Sequence, residues 1–372
     1  MALIIAARRS PVASKNGIFK SLEIEELARP VIEAAITDAK ICRSDIDCVI
    51  LGNALGAGGN PSRLCALSAG IPETCTAITI DTQCCSGLDA IGIAASKIDS
   101  GNADVVLAGG VESYSRAPLR ARLNKEQKYI AYSEAKFAPF QHENSSIYDQ
   151  IGTLGTNTHF SFEEQCQIAI ESHRKAKKWD HPDIVSFNLA GVHHDFDTFT
   201  RFLNFETCKK ANRNGGNVNP CLIANKADGA AVSVLISKKF FNENKIKNFA
   251  LEIKGWHQFG GDPSKLGNVP IDFYTKTQFD TCRFDQIEWM ESFANQFLLN
   301  KYSCNLPDKI TNPYGGMISI GHPIGASGAI LISRLYQGLK KKSFLKKGQN
   351  GLALIPSVAG LVSAICTSHY PS

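Results

Sequence analysis

The chain has 372 residues, of which 44% are hydrophobic and 20% are charged, and this composition excludes a disordered or collagen-like protein. Its 40 basic residues exceed its 35 acidic residues only slightly, so the charge gives no indication of nucleic-acid binding. Its 12 cysteines include no C-x-x-C pair, which indicates reduced thiols in the cytoplasm rather than a disulfide framework.

Strand-like and helix-like segments alternate through the first part of the chain. This alternation is typical of an α/β sheet with helices on its faces. The predicted strands cover residues 3–7, 48–52, 77–80 and 104–108, and the predicted helices cover residues 23–39 and 86–98.

The sequence changes character from residue 115 to residue 225, where Lys, Arg, His, Asn and Phe become frequent. One clear helix is predicted here, at 161–178, with Ser161 as its N-cap and Glu163 and Glu164 in its first turn. We interpret this stretch as an insertion laid over the core.

Strand-like segments return after residue 226. We predict strands at 230–236 and 251–255, a helix at 285–301, a strand-loop-helix unit at 315–339, and a final strand pair within 351–367. The chain is therefore predicted to form two similar α/β halves. The N-terminal half comprises 1–114 with 226–238, the insertion 115–225, and the C-terminal half 239–372.

Two hydrophobic segments need to be distinguished from membrane or signal segments. The uncharged stretch 349–368 has the length of a transmembrane helix, but Pro356 and Gly360 interrupt it, so we predict two buried strands and no membrane segment. The apolar N-terminus is too short for a signal peptide, and its basic residues follow the apolar stretch instead of preceding it.

Two glycine-rich clusters carry side chains suited to covalent catalysis. Cys84 lies just before the predicted helix at 86–98, where the helix dipole and free N–H groups favour a thiolate. His322 lies within the glycine-rich stretch 315–328, and histidine is the usual base for a thiol. Taken singly, a buried structural cysteine and a structural histidine are the commoner explanations.

No metal site is predicted from the sequence. His193, His194, Asp195 and Asp197 lie close together, but their spacing is not that of a zinc site, and a polar loop explains them better.

A series of motifs, in the same order along the chain, resembles the thiolase family. They are residues 5–11 (IAARRSP), Gly52-Asn53 with 61–63 (PSR), 83–87 (QCCSG, matching C-x-S-G), 108–113 (AGGVES, matching A-G-G-x-E-S), 228–231 (DGAA), 261–264 (GDPS) with Pro270-Ile271, and 321–328 (GHPIGASG, matching G-H-P-x-G-x-S-G). The resemblance implies the thiolase fold, with two βαβαβαββ halves in an α/β/α/β/α arrangement and an inserted loop domain that covers CoA.

The resemblance also implies a chemistry, the formation or cleavage of a carbon–carbon bond next to a CoA thioester. It makes Cys84, rather than Cys85, the acylated nucleophile and His322 its activator. The backbone N–H groups of Cys84 and Val358 would bind the oxyanion, with Gly321 and Gly87 as structural support. CoA thioesters would be substrates rather than cofactors, and the family implies a homodimer or homotetramer active in lipid metabolism.

The sequence departs from the family pattern at functional positions. Pro356 stands where most thiolases have a second catalytic cysteine, and proline has no group that accepts a proton. Met290 replaces the asparagine of the N-E-A-F motif and offers only a weak acceptor. Ser292 stands where a sterol-carrier-type subgroup has its second thiol, and serine is a poorer base.

The remaining candidate substrate contacts come from the same resemblance. Gln150 replaces the histidine of an H-M-G motif, and Ala224 replaces a serine that often touches CoA. Ser327 and Met290 complete the predicted substrate-binding set. The basic residues of the insertion suit a phosphorylated nucleotide, although a solvated basic face explains them equally well. They include Arg174, Lys209, Lys210 and Arg213.

Three functions therefore remain open. The chain is a thiolase that uses another base, an acyltransferase that passes the acyl group from Cys84 to a different nucleophile, or a thiolase-like subunit or acyl-CoA binder that is either non-catalytic or dependent on a partner chain.

Overall fold

The computed structural model describes residues 1–56, 58–132, 135–139, 147, 151, 154, 160–211, 219–278, 280–343 and 349–371. The strands are β1 (Ala2–Arg9), β2 (Ala13–Ser14), β3 (Cys48–Gly52), β4 (Thr76–Ile80), β5 (Val105–Glu112), β6 (Arg120–Leu123), β7 (Tyr129–Tyr132), β8 (Phe187–Leu189), β9 (Val192–His194), β10 (Ala227–Ser237), β11 (Ala250–Gly260), β12 (Gln286–Trp289), β13 (Asn350–Ser357) and β14 (Leu361–Tyr370). The central feature of the fold is a ten-stranded mixed sheet in the order β12-β13-β14-β11-β1-β10-β5-β3-β4, with β2 pairing β10 outside this path.

Helices cover the sheet, so the expected α/β class is confirmed. The helices are α1 (Ile24–Ala39), α2 (Pro61–Ser68), α3 (Ser86–Asp99), α4 (Phe162–Lys178), α5 (Phe205–Ala211), α6 (Lys238–Glu243), α7 (Val269–Thr277), α8 (Ala294–Ser303), α9 (Met317–Ile320) and α10 (Ser327–Ser343). Ser161 caps α4 as predicted, because its hydroxyl accepts from the N–H of Glu164 at 3.1 Å.

Strands β10 and β11 are the two neighbours of β1 in the middle of the sheet. Strand β1 pairs with β10 along most of its length and with β11 at Leu3 and Ile4. Helices α3 and α10 pack against each other and contribute to one apolar core that also holds Cys84. Gly87 allows this approach, since a Cβ there would lie 2.8 Å from the carbonyl oxygen of Gly325. The packing brings the starts of α3 and α10 together.

The prediction of one helix over 285–301 is wrong at its start. Residues Gln286–Trp289 form strand β12, which pairs in parallel with β13, and helix α8 begins only at Ala294. The Asn312 side chain fixes this strand by accepting from Trp289 N and donating to Trp289 O, both at 2.8 Å. Tertiary pairing therefore overrides the local helical pattern.

The segment before His322 also differs from its prediction, because it forms the short helix α9 instead of a strand. The uncharged stretch near the C-terminus is confirmed as two buried strands, β13 and β14, which pair antiparallel from Asn350 to Ser357. In the part of the chain that the structure describes, no helix is long and apolar enough to cross a membrane.

A buried ion cluster joins strand β1 to the segment that contains Asp183 and Asp197. Arg9, at the end of β1, pairs with Asp183 and with Asp197 Oδ1 at 2.7 Å, and all three side chains are fully buried. Asp197 is therefore a structural ion-pair partner of Arg9. His193 Nδ1 lies 3.1 Å from Asn188 Oδ1, within an exposed hairpin.

Candidate active site

Cys84 and His322 lie in contact, although they are 238 residues apart in the chain. Cys84 lies in the single helical turn Gln83–Cys85 that leads into α3, and its Sγ is 3.3 Å from His322 Nε2. His322 follows Gly321, whose φ of 104° favours glycine, and its N–H donates to the carbonyl of Asn225 at 2.7 Å. The two sequence motifs therefore bring the predicted nucleophile and the predicted base into contact.

Ser327 determines which nitrogen of His322 carries the ring hydrogen. The Ser327 hydroxyl has one hydrogen and donates it to the carbonyl of Pro323 at 3.0 Å. His322 Nδ1, 2.6 Å from the same hydroxyl, must then carry a hydrogen and donate it. The lone pair of Nε2 is left facing Cys84, which is the arrangement of a base that accepts the thiol proton. Ser327 thus contacts the histidine, although it was predicted to bind substrate.

Burial keeps both partners neutral at rest. It raises the pKa of the Cys84 thiol to about 11 and lowers the pKa of His322 to about 4. The effect of burial on the thiol is therefore larger than that of the hydrogen bonds at this turn, which lower its pKa. The groups that act in the opposite direction and lower the pKa of Cys84 are the Ser357 side chain and the Val358 and Cys84 backbones.

The two predicted oxyanion donors differ in their present partners. The Val358 backbone lies close enough to the Cys84 thiol to lower its pKa. The Cys84 N–H donates to the Ser357 hydroxyl at 3.1 Å. Ser357 was not among the residues predicted from the sequence, although it stands between Pro356 and Val358, which were.

A cleft opens over the cysteine and histidine. Its lining includes Ala224 and the two positions at which this sequence lacks the second thiol of the family pattern, Pro356 and Ser292. Met290 is instead fully buried in the apolar core, and Gln150 lies outside the described residues. The complete described lining is Leu55, Gln83, Cys84, Tyr114, Arg120, Ala135, Phe137, Ile147, Ile223, Ala224, Lys226, Leu266, Ser292, Phe293, His322, Ile324, Pro356 and Val358.

The cations of the cleft are not those singled out from the sequence. Arg120 and Lys226 line it, and Arg120 Nη2 donates to the carbonyl of Ala54 at 2.7 Å. Arg174 pairs with Glu171 on the exposed side of α4, and Lys209 and Lys210 lie on the exposed side of α5. Arg213 lies outside the described residues.

Glu112 is a buried supporting residue that the sequence motif did not assign a role. Its carboxylate accepts from the backbone N–H groups of Ala54, Leu55 and Gly325, and from the Asn53 side chain. It thereby holds the loop after His322 against the loop after β3. Burial raises the pKa of Glu112 to about 7, although the three backbone N–H donors oppose this shift.

No cluster of His, Cys, Asp or Glu among the described residues has an arrangement that would hold a metal ion.

Family models cover almost the whole chain. The thiolase N-terminal domain matches residues 2–239, and the thiolase C-terminal domain matches residues 247–369. An acetyl-CoA acetyltransferase of Shinella zoogloeoides is 30% identical over 98% of both chains. A probable acetyl-CoA acyltransferase of Staphylococcus aureus (strain NCTC 8325 / PS 47) is 29% identical over 90% of this chain and 92% of its own.

A solved structure shows the same fold. The Bacillus anthracis acetyl-CoA acetyltransferase superposes with a TM-score of 0.88 and 28% identity, over 99% of this chain and 98% of that one.

Proposed function

This chain belongs to the thiolase family, and we propose that it is a CoA-dependent acyltransferase that carries its acyl group on Cys84. The chemistry proposed first is that of an acetyl-CoA acetyltransferase or 3-ketoacyl-CoA thiolase. The observation that carries the proposal is the 3.3 Å contact between Cys84 Sγ and the unprotonated Nε2 of His322, at the base of a cleft.

The first half-reaction needs only groups that the site contains. His322 Nε2 takes the thiol proton of Cys84 while the sulfur attacks the thioester carbon. The carbonyl oxygen becomes an oxyanion next to the Val358 N–H. The bond to the CoA sulfur then breaks, and the proton on Nε2 passes to that sulfur. The products are an acyl-Cys84 thioester and free CoA.

The second half-reaction is where the alternatives separate. A carbon–carbon bond requires a base that removes a proton from the acceptor thioester, and Pro356, which lines the cleft, cannot do so. Ser292 is a polar residue of the same lining. Because of Pro356, the second candidate function is transfer of the acyl group to a nucleophile other than a carbon acid. A subunit that binds acyl-CoA and needs a partner chain is the third.

We assign the CoA phosphates to the open end of the cleft, near Lys226 and Arg120. Lys226 is exposed there and Arg120 is half-buried, so both cations are accessible to a nucleotide. We further propose that residues 115–225 form the domain that covers CoA, between the halves 1–114 with 226–238 and 239–372. The structure supports this proposal through the lining residues Arg120, Ala135 and Phe137, which lie in the first part of that stretch.

We propose that a second copy of the chain pairs at the exposed edge of the sheet. Strand β12, at one edge, is fully buried, whereas β4, at the other, is partly exposed. Ile78 on β4 is 40% exposed, and Leu64 and Leu67 on α2 are also exposed. Such an edge is open to pairing with another strand. The 12 unpaired cysteines favour a reducing compartment such as the cytoplasm.

The test is peptide mass spectrometry after incubation with acetyl-CoA. We expect an acetyl group on Cys84, release of free CoA, and no adduct at that position in Cys84→Ala. Folded wild-type protein that is not modified by acetyl-CoA or by longer acyl-CoAs would refute both enzymatic candidates for the isolated chain. If the adduct forms, acetoacetyl-CoA in the products distinguishes the first candidate from the second.

A further inference from the structure

Gln83, the residue before the nucleophile, has a backbone conformation that side chains rarely adopt. Its φ is 55°, in the left-handed region that favours glycine. A residue with a Cβ populates this region roughly 5- to 30-fold less than the right-handed one. Among the described non-glycine residues with a positive φ, Gln83 alone lines the cleft. Such strain persists only where neighbouring groups hold it, and it is common at functional sites.

Hydrogen bonds hold Gln83 on both sides. Asp81, which follows β4, accepts at one carboxylate oxygen from the Gln83 N–H at 3.0 Å and from the Gln83 side-chain amide at 2.8 Å. The carbonyl of Gln83 accepts from the Ser86 hydroxyl at 2.6 Å. The next N–H, that of Cys84, donates to the Ser357 hydroxyl at 3.1 Å. The carboxylate of Asp81 therefore supports the strained residue on the β4 side of the turn.

This conformation matters for the reaction because it sets the direction in which the chain leaves β4. With the positive φ at Gln83, the sulfur of Cys84 lies 3.3 Å from His322 Nε2. A change of φ to the right-handed value of about −60° would turn the chain after Gln83 relative to β4. Such a turn would separate the thiol from its base.

We propose that Asp81 is a positioning residue, whose carboxylate holds Gln83 in the left-handed conformation and so keeps the Cys84 thiol in contact with His322. Asp81 acts through Gln83 and takes no part in proton transfer. Its negative charge acts in the other direction, because it raises the pKa of the Cys84 thiol. Its hydrogen bonds, rather than its charge, therefore serve the reaction. The proposal rests on the proposed acyl-enzyme function, since the positioned thiol is the one that is acylated.

The first test compares Asp81→Ala with Asp81→Asn in the alkylation of Cys84 by iodoacetamide at one fixed pH, with peptide mass spectrometry and fragmentation to separate Cys84 from Cys85. Asp81→Ala should react roughly 5- to 30-fold more slowly, because an unsupported left-handed residue is that much less populated. Asp81→Asn keeps the accepting oxygen and should not be slower than wild type. If only the charge mattered, both variants would react faster, and that outcome would overturn the proposal.

A second pair of variants separates the strain from the side-chain contact. Asp81→Ala is introduced into the Gln83→Ala and Gln83→Gly backgrounds, which differ only by the Cβ that disfavours a positive φ. The loss of rate should persist in the alanine background and fall below about 2-fold in the glycine background, because glycine adopts this conformation without support. Equal losses in the two backgrounds would contradict the role of Asp81. Asp81→Val also lacks the acceptor and suits the end of a strand, so it replaces Asp81→Ala if that variant does not fold.

Asp280→Ala is the matched control for the loss of such a carboxylate. Asp280 also accepts from the N–H two residues on, that of Cys282, at 3.0 Å, and neither residue belongs to the described lining of the cleft. This variant should react as wild type, and an equal loss of rate in it would overturn the proposal, because the assay would then report a general loosening of the fold.

Single-turnover acetylation by acetyl-CoA is the second readout. Asp81→Ala should lower the maximal rate by a similar factor and leave the half-saturating concentration of acetyl-CoA unchanged, because the residue positions the thiol and does not bind the substrate. A raised half-saturating concentration with an unchanged maximal rate would contradict the proposal. Alkylation requires no CoA, so wild-type protein that acetyl-CoA does not modify would refute the proposed function, while the alkylation series would still decide the role of Asp81.

Discussion

Replacing Ser327 with alanine tests the orientation of His322. In the wild type, Nδ1 donates to the Ser327 hydroxyl at 2.6 Å, and this bond leaves Nε2 unprotonated toward Cys84. The alanine variant leaves a buried N–H without its acceptor, and the histidine can take the other tautomer, in which Nε2 carries the hydrogen and cannot accept another. We therefore expect Ser327→Ala to slow acylation of Cys84.

The expected magnitude follows from the loss of one buried hydrogen-bond partner. An unsatisfied buried donor costs about 1–3 kcal/mol. Since 1.36 kcal/mol corresponds to tenfold in rate, the acylation rate should fall roughly 5- to 160-fold. A value at the upper end is expected if the imidazole changes tautomer as well as losing its partner.

The assay is single-turnover acetylation of Cys84 by acetyl-CoA, followed by peptide mass spectrometry. Ser327→Thr retains the hydroxyl and should keep most of the rate. Ser333→Ala, on the same helix, is the control, because it removes a buried hydroxyl that has no hydrogen-bond partner among the described residues. Thermal unfolding of each variant reports whether the start of α10 remains intact, since Ser327 also donates to Pro323. Wild-type acetylation in a folded Ser327→Ala protein would refute the orientation argument.

Further predictions concern the missing base, a buried carboxylate and the ion cluster. Pro356→Cys places a thiol in the lining of the cleft. This variant should raise the rate of acetoacetyl-CoA thiolysis at least about 10-fold, because general acid–base catalysis contributes about 100- to 10,000-fold. The loss of substrate absorbance measures this rate, and Pro356→Ser is the control for a change in backbone alone. Glu112→Gln replaces a carboxylate that accepts three backbone N–H bonds, and it should lower the free energy of unfolding by about 1–3 kcal/mol. Urea titration measures this change, and an unchanged unfolding midpoint would contradict the supporting role of Glu112. Asp183, whose pKa is lowered by Arg9 against the effect of burial, should stabilise the fold above its unfolded pKa of about 3.9 and lose that contribution as the pH falls through its lower folded pKa. Asp183→Asn should therefore make stability less dependent on pH in acid, and an unchanged acid limb would contradict this assignment.

The sequence predicted the parts of the site that lie in continuous motifs. Cys84 and His322 were found because each lies in a glycine-rich segment whose spacing resembles that of a known family. Ser357 and Glu112 were not assigned roles, because their partners come from distant segments and their side chains alone indicate nothing unusual. The wrong helix at 285–301 has the same origin, since Gln286–Trp289 becomes a strand through its pairing with β13. The sequence therefore predicted local motifs well and long-range hydrogen bonds poorly.

The arrangement around Cys84 limits which acceptors the proposed acyl-enzyme can serve. Cys85 does not replace the missing second thiol, because its sulfur is buried, donates to the carbonyl of Ile355 at 3.3 Å, and has a pKa raised well above its ordinary value. After CoA leaves, His322 Nε2 is again a free base close to the acyl sulfur. A thiol or amine that attacks the acyl carbon brings its proton to this same position, so His322 serves that acceptor. A carbon acid needs a base at a second position, and there the lining offers Ser292 and Pro356. Transfer to a heteroatom nucleophile should therefore persist in Ser292→Ala, whereas carbon–carbon bond formation that depends on Ser292 should be lost.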